Sequence, residues 1–246
     1  MLVGTGRGRA YDGHMKRPVL LVLLVLITVA AVVAVWWSGR QPAPEAAVND
    51  VKPFQYQADA RPTVEVYGDS ISQGDSSNFS SGDTGPTSWV SHLGGPDGLR
   101  FVGGFAQGGA GAETIRNYIA GQHTSDVVIY EIATNDLRRG VSWDEWADHT
   151  LRFHEEAAIG DDLFAVVLIG PMDDRSAEAV AEWNDRTREF AEDQGWAVLD
   201  PWDGLRDDDN TWVAGMSADA VHPNKSGAQV LAANMAKEVR SALAER

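Results

Sequence analysis

At 246 residues the chain has room for one sizeable domain and an appendage, not for two large domains. Residues 62–246 carry 13 basic and 32 acidic side chains, a formal charge of −19, and a body so acidic repels phosphodiester backbones, which sets nucleic-acid partners aside. With no cysteine, a disulfide framework, a Cys-ligated zinc site and a thiol nucleophile are all impossible, whereas serine chemistry stays open.

The first element in chain order is an uncharged, almost wholly apolar run from Val19 to Trp37. As a helix it would measure about 28 Å, close to the hydrocarbon thickness of a bilayer. Arg7, Arg9, Lys16 and Arg17 precede it, and the positive-inside bias then leaves residues 1–18 in the cytoplasm and everything after 37 outside. Trp36 and Trp37 suit the outer interface. A cleaved signal peptide starting at Met15, with Ala30, Ala31 and Ala34 near its end, is the alternative. The run is longer than the usual signal-peptide core of about 7–15 residues, so a single-pass signal-anchor is favoured. Residues 38–61, rich in Pro and Ala, read as an extracytoplasmic linker leading to a domain over 62–246.

Within that domain, β-rich apolar runs occur at Thr63–Tyr67, Phe101–Val102, Val127–Ile132, Phe164–Ile169 and Trp196–Leu199. Helical patterns alternate with them over Glu113–Ala120, Trp143–Ala158, Ala177–Asp193 and Lys225–Ala244. Strand followed by helix, repeated, predicts an α/β fold: a three-layer α/β/α sandwich around a five-stranded, mostly parallel sheet. In such sheets functional groups gather at the carboxyl ends of the strands. Gly68-Asp69-Ser70 follows the first strand, Gly108-Gly109-Ala110-Gly111 the second, and Ala133-Thr134-Asn135-Asp136 the third.

A serine hydroxyl becomes a nucleophile only beside a base that a third group orients. Asp219-Ala220-Val221-His222-Pro223 supplies both just before the last helix, because a carboxylate in a turn reaches an imidazole three residues on. His222 would take the proton of Ser70, and Asp219 would set the ring tautomer. Oxyanion donors would be the Ser70 backbone N–H, a glycine N–H of the 108–111 loop and the Asn135 amide.

Gly68-Asp69-Ser70-Ile71-Ser72, the glycine loop, Asn135-Asp136 and Asp219-x-x-His222-Pro223 together resemble the SGNH, or GDSL-type, hydrolases over roughly residues 62–246. The resemblance implies the flavodoxin-like fold of that family, Ser70 as nucleophile, Asp219 and His222 as the rest of the triad, and Ser70, Gly111 and Asn135 as the oxyanion hole. Gly108 and Gly109 stand as alternatives to Gly111. It also implies a serine esterase that needs no metal or organic cofactor. Ala133 departs from the glycine usual before Asn-Asp, and Ala106-Gln107 from the usual asparagine of the second block. The α/β-hydrolase elbow Gly-x-Ser-x-Gly is not completed.

An extracytoplasmic address makes acylated envelope glycans, lipids or small esters the expected substrates. An O-acyltransferase on the same triad and an idle, anchored binding module are the competing readings. His149 and His154, five apart on a helix, share no face for a metal and read as solvated. Asp207-Asp208-Asp209-Asn210 reads as a solvated turn, lacking the spacing of a calcium loop. Arg138 and Arg139 are expected to pair with nearby acids. Trp89, Trp202 and Trp212 are candidates to hold a sugar or acyl group, with at least one of them in the core.

Overall fold

The computed structural model describes residues 59–246 apart from 96, 119–122, 161–162 and 173–174, together with Leu26 and Val29. By its contacts the chain divides into Met1–Ala58 and Asp59–Arg246. The expected membrane segment 19–37, apart from Leu26 and Val29, its leading flank 1–18 and most of the linker lie outside the described residues. Among the described residues no helix is long and apolar enough to cross a membrane.

In the second unit five strands, β1 (Thr63–Gly68), β2 (Arg100–Ala106), β3 (Val127–Glu131), β4 (Leu163–Val167) and β5 (Ala197–Leu199), form one sheet in the order β2-β1-β3-β4-β5. Every pairing is parallel. This is the doubly wound order in which the direction of winding reverses between β1 and β3, so a crevice opens at their carboxyl ends.

Both faces of the sheet are covered, which explains why β3 and β4 read as continuous apolar runs and not as alternating ones. Val127 and Ile129 of β3 join Val64, Val66 and the 20-residue helix Lys225–Ala244 through Leu231, Met235 and Val239. Val128 and Tyr130 face the other way, against Trp146 and Phe153 of the helix Trp143–Glu156 and Trp183 of the helix Ala177–Gln194. In chain order the helices are α1 (Ser70–Gln73), α2 (Ala112–Arg116), α3 (Thr134–Arg139), α4 (Trp143–Glu156), α5 (Ala177–Gln194) and α6 (Lys225–Ala244). The side chains of Ser142, Ser176 and Asn224 accept from free N–H groups in the first turns of α4, α5 and α6, as N-caps do. Gly195, left-handed at φ 73°, ends α5.

Some boundaries differ from the sequence reading. β2 runs on through Gly103 and Gly104, where an added Cβ on Gly104 would fall 2.0 Å from the Val66 carbonyl oxygen. Close approach to β1, not β-propensity, keeps Gly104 in the strand. The polar residues after β1 and β3 wind into the short helices α1 and α3. The three tryptophans expected near the functional edge are all buried: Trp89 donates through Nε1 to Ser72 Oγ (3.0 Å), Trp202 to the Leu168 carbonyl (2.8 Å), and Trp212 lies edge-on to Trp202. They are core residues, and none presents a free face. His154 packs against Phe164 and Trp196 and is half-buried, so the solvated helix face expected for it is corrected.

Candidate active site

β1 ends at Gly68, and α1 starts two residues later with Ser70 as its first residue. Asp69 caps that turn, its Oδ1 accepting from Ile71 N–H at 2.8 Å. Ser70 is thereby lifted to the top of the sheet while Asp69 points into it, fully buried. From the far end of the chain, the turn before α6 brings His222 over Ser70. His222 Nε2 lies 2.8 Å from Ser70 Oγ, and His222 Nδ1 lies 2.8 Å from Asp219 Oδ2 and 3.0 Å from Oδ1.

The turn is organised by its own neighbours. Asp219 Oδ1 accepts the backbone N–H of His222 (2.9 Å) and of Val221 (3.2 Å). Ser217 Oγ accepts from Ala220 N–H and donates to the His222 carbonyl, both at 2.9 Å. Ala220 holds a left-handed φ of 71°, which lets the carboxylate curl back onto the ring. Burial pushes the Asp219 carboxyl up, but the His222 backbone N–H and the imidazole outweigh it and hold the group below the ordinary aspartate range.

The glycine loop approaches from β2. Gly108 lies beside Ser70, but its N–H is taken by Gln73 Oε1 at 2.6 Å. Gly109 is left-handed (φ 75°), and its carbonyl accepts from Arg139 at 2.5 Å. Gly111 packs directly on Asp136, where a Cβ would fall 2.7 Å from Oδ1, and among the described residues its N–H has no hydrogen-bond partner. The Ser70 N–H is equally unengaged among the described residues. Asn135, at the first turn of α3, sends its Nδ2 hydrogens to Asp69 Oδ2 and to the Ala110 carbonyl, each at 3.0 Å. Its amide is therefore fixed between the first and second blocks.

Beneath this surface lies a set of buried acids that the sequence reading passed over. Glu131, the last residue of β3, accepts from Ser72 Oγ at 2.8 Å, and Ser72 in turn accepts from Trp89. Asp136 accepts the Ala112 N–H at the start of α2. Desolvation raises all three carboxyls: Glu131 well above its ordinary value, Asp136 to about 6, and Asp69 upward against the pull of the Ile71 N–H. The signal for Glu131 was present, because a lone charge closing an otherwise apolar strand must find partners when both faces are covered. Ser217 and Gln73 carried no such signal.

A hydrogen-bonded Ser–His–Asp chain at the switch point of a doubly wound sheet is the arrangement that serine hydrolases use. Residues 66–230 match the model of the GDSL-like Lipase/Acylhydrolase family, and the chain belongs to that family. With it the protein is a hydrolase acting on ester bonds. No curated protein sequence matches the chain. Among solved structures it is similar to LAE5, an alpha/beta hydrolase enzyme from the metagenome of Lake Arreo, Spain (TM-score 0.58, 18% identity, covering 73% of this chain and 95% of that one). A member of the lipolytic protein G-D-S-L family from Veillonella parvula DSM 2008 gives a TM-score of 0.55 at 18% identity, covering 71% and 96%. The psychrotrophic esterase EstA from Pseudoalteromonas sp. gives 0.54 at 16%, covering 74% and 98%. At such identities the likeness is one of fold.

Proposed function

We propose that the protein hydrolyses carboxylic esters through an acyl-enzyme formed on Ser70. The observation that carries this is the unbroken relay from Ser70 Oγ to His222 Nε2 and from His222 Nδ1 to Asp219, each link 2.8 Å. Ser70 Oγ attacks the ester carbonyl as its proton passes to His222 Nε2. The tetrahedral oxyanion is met by the N–H groups of Ser70 and Gly111, with Asn135 Nδ2 as third donor once one of its two bonds is released. His222 then protonates the leaving alcohol, and the acyl group stays on Ser70. Water, deprotonated by His222, releases the acid. Asp219 keeps Nδ1 protonated throughout and stabilises the imidazolium.

The apolar run 19–37 and its basic flank support an anchored enzyme working at the outer face of a membrane, with acyl groups on envelope glycans, lipids or small esters as substrates. The test is p-nitrophenyl acetate turnover by the full-length protein in detergent, against Ser70→Ala and His222→Ala. Each substitution is expected to lower kcat by at least about three orders of magnitude while the melting temperature holds. Equal turnover by all three proteins would remove the assignment.

A further inference from the structure

Beside Ser70 and His222 a cavity of about 300 Å³ opens, whose other walls include Gly74, Asp75, Thr87 and Pro223. Among the described residues no lysine or arginine lines it. Asp219 is committed to His222, which leaves Asp75 as the wall's disposable charge.

Asp75 is built into place. Its backbone N–H donates to Thr87 Oγ1 at 3.0 Å, while the Thr87 hydroxyl (2.8 Å) and backbone N–H (2.9 Å) both donate to Asp75 Oδ1. Gly85 lies so close that a Cβ there would come within 2.1 Å of Oδ1. On the other side Gly74, left-handed at φ 53°, presses on the backbone of Ser88, where a Cβ would fall 2.3 Å from its nitrogen. The two segments are thus locked together by polar contacts that fix the carboxylate's orientation. Thr87's N–H and hydroxyl hold Asp75 below the usual aspartate range, so it is ionised at neutral pH. Oδ2 accepts no hydrogen bond among the described residues, although the group is exposed.

Building on the assignment of Ser70 as nucleophile, we infer that Asp75 is a specificity-determining residue that selects esters whose alcohol portion carries a hydrogen-bond donor, a hydroxyl or a protonated amine. A donor near the scissile oxygen meets Oδ2 without displacing any existing partner. A negatively charged alcohol meets two carboxylates and, among the described lining residues, no lysine or arginine, in a body already at −19. Since the carboxylate is held before substrate arrives, little ordering entropy is spent on recognition.

The experiment compares kcat/KM of the full-length protein for four acetates of similar size: 2-hydroxyethyl, protonated 2-(dimethylamino)ethyl, propyl, and the anionic acetoxyacetate. The hydroxyl and ammonium esters are expected to exceed propyl acetate by about tenfold, the worth of one good polar contact of about 1.4 kcal/mol, with acetoxyacetate slowest. In Asp75→Asn the ammonium advantage disappears and the penalty on acetoxyacetate shrinks by about tenfold, while the hydroxyl ester keeps part of its lead because an amide still bonds a hydroxyl. Loss confined to the ammonium ester assigns the selection to charge, and equal loss for both assigns it to hydrogen bonding. Equal rates for all four acetates in the wild type, or ratios unchanged in Asp75→Asn, overturn the proposal while the Ser70 assignment stands. Hydrolysis that survives Ser70→Ala overturns both.

Discussion

Ser70 stands at a strand end over three buried carboxyl groups, whereas His222 stands on a surface turn built almost wholly from its own neighbours. The contacts that place Ser70 reach far along the chain: Asp69 to Asn135, and Glu131 to Ser72 and through it to Trp89. Those that place His222 span six residues, from Ser217 to His222. The difference teaches that the two partners of the proposed proton transfer depend on different kinds of stability. The serine's position depends on the global fold, and the histidine's on a local motif that can adjust without unfolding the sheet.

The strongest way to break the local side is Asp219→Asn. Asn leaves the exposed turn its shape but favours the wrong imidazole tautomer, so kcat on p-nitrophenyl acetate is expected to fall about 10⁴-fold with the melting temperature nearly unchanged. A comparable fall in melting temperature would show that the turn is not local after all.

The matching blow to the buried side is Gly68→Ala. Its Cβ would lie 2.3 Å from Ser72 Oγ and 2.4 Å from Ser72 Cβ, inside the network that seats Ser70. Overpacking of this kind costs about 2–3 kcal/mol, and denaturant unfolding is expected to show that loss together with reduced turnover. Wild-type stability in this variant would mean that Ser72 is free to move.

The buried acids give the same region a pH signature. Burial raises Asp69, Glu131 and Asp136 above their unfolded values near about 4, so the folded state holds their protons more tightly. The stability this contributes is complete below about pH 4 and is lost as pH rises through the raised values, about 6 for Asp136. Melting temperature is therefore expected to decline between pH 5 and 8 on account of these groups. Glu131→Gln, which keeps an acceptor for Ser72 and removes the ionisation, is expected to recover about 2–4 °C at pH 8 and nothing at pH 5. A gain independent of pH would place the effect in packing.

The smallest expected effect sharpens the local side. Ala220 has φ 71°, where an alanine is strained and a glycine is not. Ala220→Gly is expected to stabilise the fold by about 0.5 kcal/mol, relief of strain being offset by the freer unfolded chain, with turnover retained. Destabilisation would show that the alanine methyl group makes a packing contribution larger than the strain.

Ordering of strands and helices, the parallel sheet and the chain positions of Ser70, Asn135, Asp219 and His222 were legible because each rests on a local signal: apolar periodicity, glycine punctuation, or a short motif at a strand end. The Asp219–His222 contact belongs to this class, since three-residue spacing already brings carboxylate and imidazole within reach. The meeting of Ser70 with His222, 152 residues apart, rests on the sheet order, which local signals do not encode.

Tertiary structure alone decided the rest. It buried Trp89, Trp202 and Trp212, which exposure-blind composition had left available for substrate. It turned Glu131 from a charge in a strand into a support for Ser72, occupied Gly108's N–H with Gln73 while leaving Gly111's without a partner among the described residues, and set Asp75 against Thr87 on the wall of the cavity. Each of these depends on which distant surface a side chain meets. The physical reason is that sequence specifies conformational preferences residue by residue, whereas desolvation, hydrogen-bond partnership and cavity shape are properties of pairs that only the folded chain brings together.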